Sequence, residues 1–301
     1  MRKHHYLTGL FALVIMVNAQ AQSQSGVDST GLPGDNFSLQ GALAMFQKAS
    51  SPEDFEKMLN SQDNHVNNLD LNGDGDIDYI RVIDNSKKNA HAIVLQAVIS
   101  KNESQDIAVI ELEKTGDSTA VLQIVGDKDI YGEEVIAEPG QGDDNAFIEP
   151  GSTIAHGPNP GFDNVNPRVI VNVWFWPSVR FVYAPMYSPW ISPWAWSYYP
   201  MWWRPWRPVQ WWVWHPYYRP YYAQYNIVHT HRVAFAHRMY TPLRVTSVIV
   251  TTRHAGVIGN YRVTRTKTSI VRPSGREPVK VRTTYRGPGG RVKTKTILKR
   301  R

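Results

Sequence analysis

The sequence predicts an α+β fold: two short N-terminal helices packed on an antiparallel β-meander, followed by a chain of different character. Three observations carry this prediction. Leu39, Ala42, Leu43 and Phe46 recur at i, i+3, i+4 and i+7, which is one helical face. Four apolar, β-branched runs then follow, separated by short polar turns. Finally, the charge reverses. Residues 22–163 hold 8 Lys/Arg against 25 Asp/Glu, a net of −17; residues 164–301 hold 23 Lys/Arg and one acid, Glu277, a net of +22. A reversal this sharp marks a boundary between regions.

In chain order, residues 1–21 read as a secretory signal peptide. Arg2, Lys3, His4 and His5 give a positive start, residues 7–17 are apolar, and Ala19-Gln20-Ala21 is an A-x-A cleavage site. The apolar run is too short to span a bilayer. The expected compartment is therefore outside the cytoplasm: periplasm, outer surface or exterior. The chain has no cysteine, which excludes structural disulfides, thiolate chemistry and anchoring through a lipidated cysteine. Residues 22–36 are rich in Ser, Gly, Asp and Pro and are expected to be a flexible mature N-terminus.

An acidic α+β domain is expected over residues 37–138. Its second helix opens at Ser51-Pro52-Glu53-Asp54, where serine caps, proline suits the first helical position, and the acid reaches back. Phe55, Met58 and Leu59 form its apolar side. Strands are expected at 79–84, 92–100, 107–113 and 119–125, with 130–137 as a candidate fifth. Short connections make them an antiparallel meander. Residues 139–168, dense in Gly, Pro, Asn and Asp, read as a linker.

Residues 169–226 are a low-complexity aromatic segment. All 11 tryptophans lie between Trp174 and Trp214, and nine of the 20 prolines lie between Trp174 and Tyr225. Proline every few residues breaks both helix and central strand, so the segment is not a transmembrane helix. From residue 227 to 301, Thr, Val, Arg and Lys dominate. Residues 245–252 alternate like a strand, and 279–285 and 292–298 flank a Gly/Pro turn in the manner of a hairpin. The region is either a small basic β module or a disordered basic tail.

The most specific chemical signal is the loop Asp70-Leu71-Asn72-Gly73-Asp74-Gly75-Asp76-Ile77-Asp78. Oxygen-bearing side chains recur at alternate positions around a glycine turn, the way a short loop wraps a hard cation. The pattern D-x-N-x-D-G-x-x-D resembles calcium loops of the integrin β-propeller type and, in its first half, those of dockerins and EF-hands. That resemblance implies a Ca²⁺ ligated by the side chains of Asp70, Asn72, Asp74 and Asp78 and the carbonyl of Asp76. The loop departs from an EF-hand where that family needs a bidentate glutamate, because the twelfth position is Arg81. A strand follows rather than a helix, so the expected role is structural. One copy of the loop makes no propeller.

Over much of its length the chain also resembles a family of exported proteins of Bacteroidetes-type bacteria. The residues that carry this are 46–59, the loop with its following strand 79–83, and Trp174-Phe175-Trp176-Pro177-Ser178-Val179-Arg180. The resemblance implies export and brings no activity.

His229 and His231, with His237 or His215, could take Zn²⁺ or Cu²⁺, although no carboxylate is near in sequence. No G-x-S-x-G, H-E-x-x-H or phosphate loop occurs. The sequence thus points to a non-catalytic exported protein. Its aromatic and basic regions, 169–301, are expected to contact anionic lipid, lipopolysaccharide or polysaccharide of the envelope, and export disfavours nucleic acid as partner. The alternative docking partner for the basic region is the acidic half of its own chain. Self-association through the aromatic segment is the alternative function, and a carbohydrate-directed enzyme is the third.

Overall fold

The structure, a computed structural model, describes residues 29–140, 146–148, 169–265, 268–271, 279–286 and 292–299. For 146–148, 169 and everything after 262 it gives the backbone only. The expected signal peptide, residues 1–21, and most of the expected linker lie outside the described residues. The fold is α+β, built on a six-stranded antiparallel sheet in the order β1 (Ile80–Lys87), β2 (Ala90–Val98), β3 (Ser104–Gly116), β4 (Thr119–Gly126), β5 (Val135–Pro139), β8 (Tyr225–Val228).

Two helices precede the sheet. Helix α1 is Leu39–Lys48, capped by Ser38, whose hydroxyl accepts from the Gly41 amide. Helix α2 is Pro52–Leu59, where Ser51 accepts from the Asp54 amide. The Asp54 carboxylate reaches back to the amide of Ser50, at 2.9 Å, one residue before the cap itself. Phe46 and Phe55, both fully buried, meet edge to face with ring centroids 5.2 Å apart. Residues 29–36 are held in place rather than flexible: the Asp35 carboxylate accepts from Ser29, Thr30 and Gly31, and Leu32, Pro33 and Gly34 are buried.

Strands β1 (Ile80–Lys87), β2 (Ala90–Val98), β3 (Ser104–Gly116) and β4 (Thr119–Gly126) pair consecutively and antiparallel. The candidate fifth strand begins later than expected. The helical turn α3 (Lys128–Tyr131), capped by the Asp127 side chain and ended by left-handed Gly132, takes its first residues, and β5 is Val135–Pro139. Within the region read as a linker, β6 (Ala146–Ile148) pairs with β7 (Val169–Val171).

The aromatic segment is neither separate nor merely extended. It contributes α4 (Pro177–Val182), α5 (Trp211–Trp214), α6 (Arg219–Tyr222) and the sixth strand β8 (Tyr225–Val228), which pairs with β5. Val173, Trp176, Val179, Val182 and Tyr225 belong to the same buried cluster as Phe46, Phe55, Ile93, Leu95, Ile110 and Leu122. Its prolines keep this stretch in short turns, which wrap one face of the sheet.

The opposite face is covered by α7 (Ala234–Tyr240). Tyr240 packs with Ala92, Val94, Val109, Val125 and Ile136, while Val233 and Ala236 pack with Ala90. Strand residues alternate between the two clusters, as the pleat requires.

Residues 245–252 are not a strand. Helix α8 runs Val248–Arg265. Ser247 accepts from the Val250 amide, and Glu103 of the loop before β3 accepts from the Ser247 hydroxyl and the Ile249 amide. The helix start is thus capped by a tertiary partner, which outweighs the β-propensity of Val248, Ile249 and Val250. Beyond it, β9 (Thr268–Val271), β10 (Val279–Arg286) and β11 (Val292–Lys299) form an antiparallel sheet.

Candidate functional site

The loop 70–78 is built from Asx turns. Asp70 Oδ1 accepts from the amides of Gly73, at 2.6 Å, and Asp74, at 3.1 Å, and its Oδ2 accepts from Gly75 at 3.0 Å. Asn72 Oδ1 accepts from Asp74 N, and Asp74 Oδ1 from Asp76 N. Gly73 and Gly75 sit at φ +75° and +90°, a region that glycine enters without a Cβ clash. Asp78 is buried and accepts from the Leu71 amide at 2.6 Å. Burial pushes its carboxyl well above the usual range; the Leu71 amide opposes this, and the charges of Asp70 and Asp74 add to it.

Three other parts of the chain hold the loop, the first through the Asn72 side-chain amide, which donates to the Ile99 carbonyl at 3.2 Å. Ile77 donates its amide to the Trp206 carbonyl at 2.8 Å, and His254 of α8 meets the Leu71 carbonyl at 3.2 Å. The Arg253 guanidinium lies where a side chain on Gly73 would have to go. Arg81 turns away from the loop, donating to Gln96 on β2.

The acidic and basic halves meet along a broad seam. Arg244 pairs with Asp127 and, at 2.5 Å, with Asp129, which also takes Arg262 at 3.1 Å. Arg232 pairs with Glu138 at 2.9 Å. Glu113 Oε1 accepts from the amides of Phe235 and Ala236, capping the start of α7, where Val233 offers no side-chain acceptor. Asp106 accepts from the Tyr240 hydroxyl and the Val245 amide.

Within this seam lies a cluster of two histidines and a carboxylate. Glu111 of β3, fully buried, places Oε1 2.6 Å from His237 Nδ1. Its second oxygen is 4.0 Å from His231 Nδ1. Neither that oxygen nor His231 Nδ1 has a hydrogen-bond partner. His231 Nε2 faces Glu134 at 3.2 Å, and the two imidazoles lie 4.1 Å apart between ring centroids. Burial pushes Glu111 up to about 9, with the charges of Glu134 and Glu113 adding to it. Burial lowers His237, helped by His231.

Of the four histidines weighed from sequence, the structure thus brings His231 and His237 together. His229 is exposed, and His215 sits elsewhere, stacked on Trp211 beside a cavity of about 200 Å³ that Tyr218 and Tyr222 also line. Glu111 and Glu134 were not legible as partners, because they precede the histidines by more than ninety residues. The available signal was local: Glu111 and Glu113 share one face of a strand whose other face is Ala108, Ile110 and Leu112.

The aromatic segment keeps an exposed surface. Met186, Met201 and Trp212 are 94%, 92% and 68% exposed, and Trp202 and Tyr198 are exposed beside Arg204 and Arg207. No helix among the described residues is long and apolar enough to cross a membrane. Architecture and seam together define an α+β protein with a six-stranded antiparallel sheet, closed by its own basic half. No family model, curated protein or solved structure matches the chain.

Proposed function

We propose that the protein is a non-catalytic, exported component of the bacterial envelope that rests on anionic lipid through its aromatic segment. The observation that carries this reading is the exposed set Tyr198, Met201, Trp202 and Trp212, interleaved with the exposed arginines Arg204, Arg207 and Arg219. Amphipathic rings settle at headgroup depth, and arginines pair with phosphate. No acid occurs between residues 164 and 226, and a calcium ion on the acidic loop 70–78, which stands against Trp206, would offset the loop's charge beside this surface. A calcium ion belongs to the same proposal as a structural element. The hard oxygens of Asp70, Asn72, Asp74 and Asp78, with the Asp76 carbonyl, suit it.

The full mature chain should co-sediment with phosphatidylglycerol vesicles at low ionic strength. High salt should release it, and it should not sediment with phosphatidylcholine vesicles. The pair Trp202→Ala and Trp212→Ala should weaken the binding without changing the far-ultraviolet circular dichroism. Absence of binding to anionic vesicles at low salt would refute the proposal. The same exposed apolar side chains favour self-association as the second reading; concentration-dependent particle size without vesicle binding would select it.

A further inference from the structure

We propose that Glu111, His231 and His237 form a binding site for a zinc-type divalent transition-metal ion that bridges the acidic and basic halves of the chain. One carboxylate oxygen and one nitrogen from each ring lie within 4.8 Å of one another, the only such group of three or more metal-ligating side chains among the described residues. Two imidazoles and a carboxylate are borderline ligands that suit zinc and its neighbours rather than calcium.

The unpaired atoms argue for an occupant. Glu111 is fully buried, and its Oε2 has no hydrogen-bond partner. His231 Nδ1 faces it at 4.0 Å and lacks a partner as well. A buried carboxylate oxygen and a buried ring nitrogen left without partners are costly in a folded protein. A cation between them satisfies both at once. In a tetrahedral site with bonds of about 2.0–2.1 Å, neighbouring ligands stand about 3.3 Å apart. Glu111 Oε1 lies 2.6 Å from His237 Nδ1 and Oε2 lies 4.0 Å from His231 Nδ1, so the carboxylate faces both rings and side-chain rotation sets the ligand spacing.

The surroundings fit as well. His231 presents Nε2 to the Glu134 carboxylate at 3.2 Å, which leaves Nδ1 as the lone-pair nitrogen aimed at Glu111. A carboxylate behind a ligating histidine fixes the tautomer and raises its basicity. Glu134 is therefore a positioning residue. His237 rides on α7, whose start is capped by Glu113, so the helix that carries one ligand is set by the same strand that carries another. Three ligands leave a fourth position for water or a further side chain.

The test uses the mature full-length chain without a histidine tag, freed of metal by chelation. Zinc is titrated calorimetrically in excess calcium, and cobalt(II) serves as the spectroscopic stand-in. One equivalent of zinc should bind, and cobalt should give the intense visible absorption of a four-coordinate site. His237→Ala and His231→Gln should abolish both signals, and Glu134→Gln should weaken zinc by about 10- to 100-fold. His229→Ala should change neither. His231 lies in a loop outside helix and strand, so His231→Gln reads the site even where a change on α7 perturbs packing. Equal zinc binding by the wild type and His231→Gln, or weak six-coordinate cobalt absorption alone, would overturn the proposal.

Discussion

Asp74 sits in a loop with three other aspartates within nine residues, and its carboxylate takes the Asp76 amide and the Asn72 side-chain amide as donors. Like charges this close repel, and nearby cations offset that cost. The Arg253 guanidinium stands against Gly73 and is the cation brought nearest the turn by that contact. If calcium supplies the offset, saturating calcium should raise the melting temperature of the full chain. At a hundred times the dissociation constant the gain is about 2.7 kcal/mol, which is several degrees for a domain of this kind. Asp74→Ala should lose that increment while retaining the fold. A wild-type melting temperature that chelator leaves unchanged would rule the ion out. At this scale the oxygen spacing and the glycine turns were legible in the sequence. The arginine neighbour was not, because nothing local ties residue 253 to residue 73.

Helix α2 shows how one side chain organises several elements. Glu56, buried, accepts from Tyr79 Oη and from the Val82 amide on β1, each at 2.8 Å. It also accepts from Ser192 Oγ at 2.8 Å and Trp190 Nε1 at 3.4 Å, both in the aromatic segment. Burial pushes its carboxyl up, and these four donors pull the other way. Glu56→Gln keeps the volume but turns an amide NH₂ toward donors, leaving at least one buried group unsatisfied. A loss of about 2–4 kcal/mol in stability should follow, read from the urea midpoint of the full chain. An unchanged midpoint would mean that the aromatic segment is not fastened there. Element legibility followed the same logic. The first four strands announced themselves because short polar turns separate runs with a buried face. Helix α8 did not, because its start depends on Glu103, over a hundred residues earlier. Strand β8 is four residues at the end of a proline-rich block, too short to show a period.

At the scale of the whole chain, the charge reversal marks a seam as well as a boundary. The sequence placed the acidic and basic residues in separate halves; folding sets them against each other, and Trp176, Val179 and Tyr225 complete the core of the acidic half. Removing residues after 168 would therefore strip apolar surface from that core. The seam makes a signed prediction for acid. Arg244 spans Asp127 and Asp129, and the two carboxyls respond oppositely. Burial holds Asp127 above its ordinary range despite Arg244. Burial also pushes Asp129 up, but Arg244 and Arg262 together hold it below. A carboxyl whose folded value is depressed stabilises fully above the unfolded value of about 3.9. That contribution is lost as pH falls through the folded value. The Asp129 contribution should accordingly disappear below about pH 4, while the raised Asp127 carboxyl works in the opposite direction. Arg244→Gln lifts Asp129 toward its ordinary value, so the variant should be less stable at neutral pH and lose less on acidification. Added salt should narrow the gap between the two proteins, since Arg244 is partly exposed and its pairing is screened. Melting curves from pH 3 to pH 7 at two salt concentrations decide it: parallel pH profiles would mean that the seam is held by packing alone.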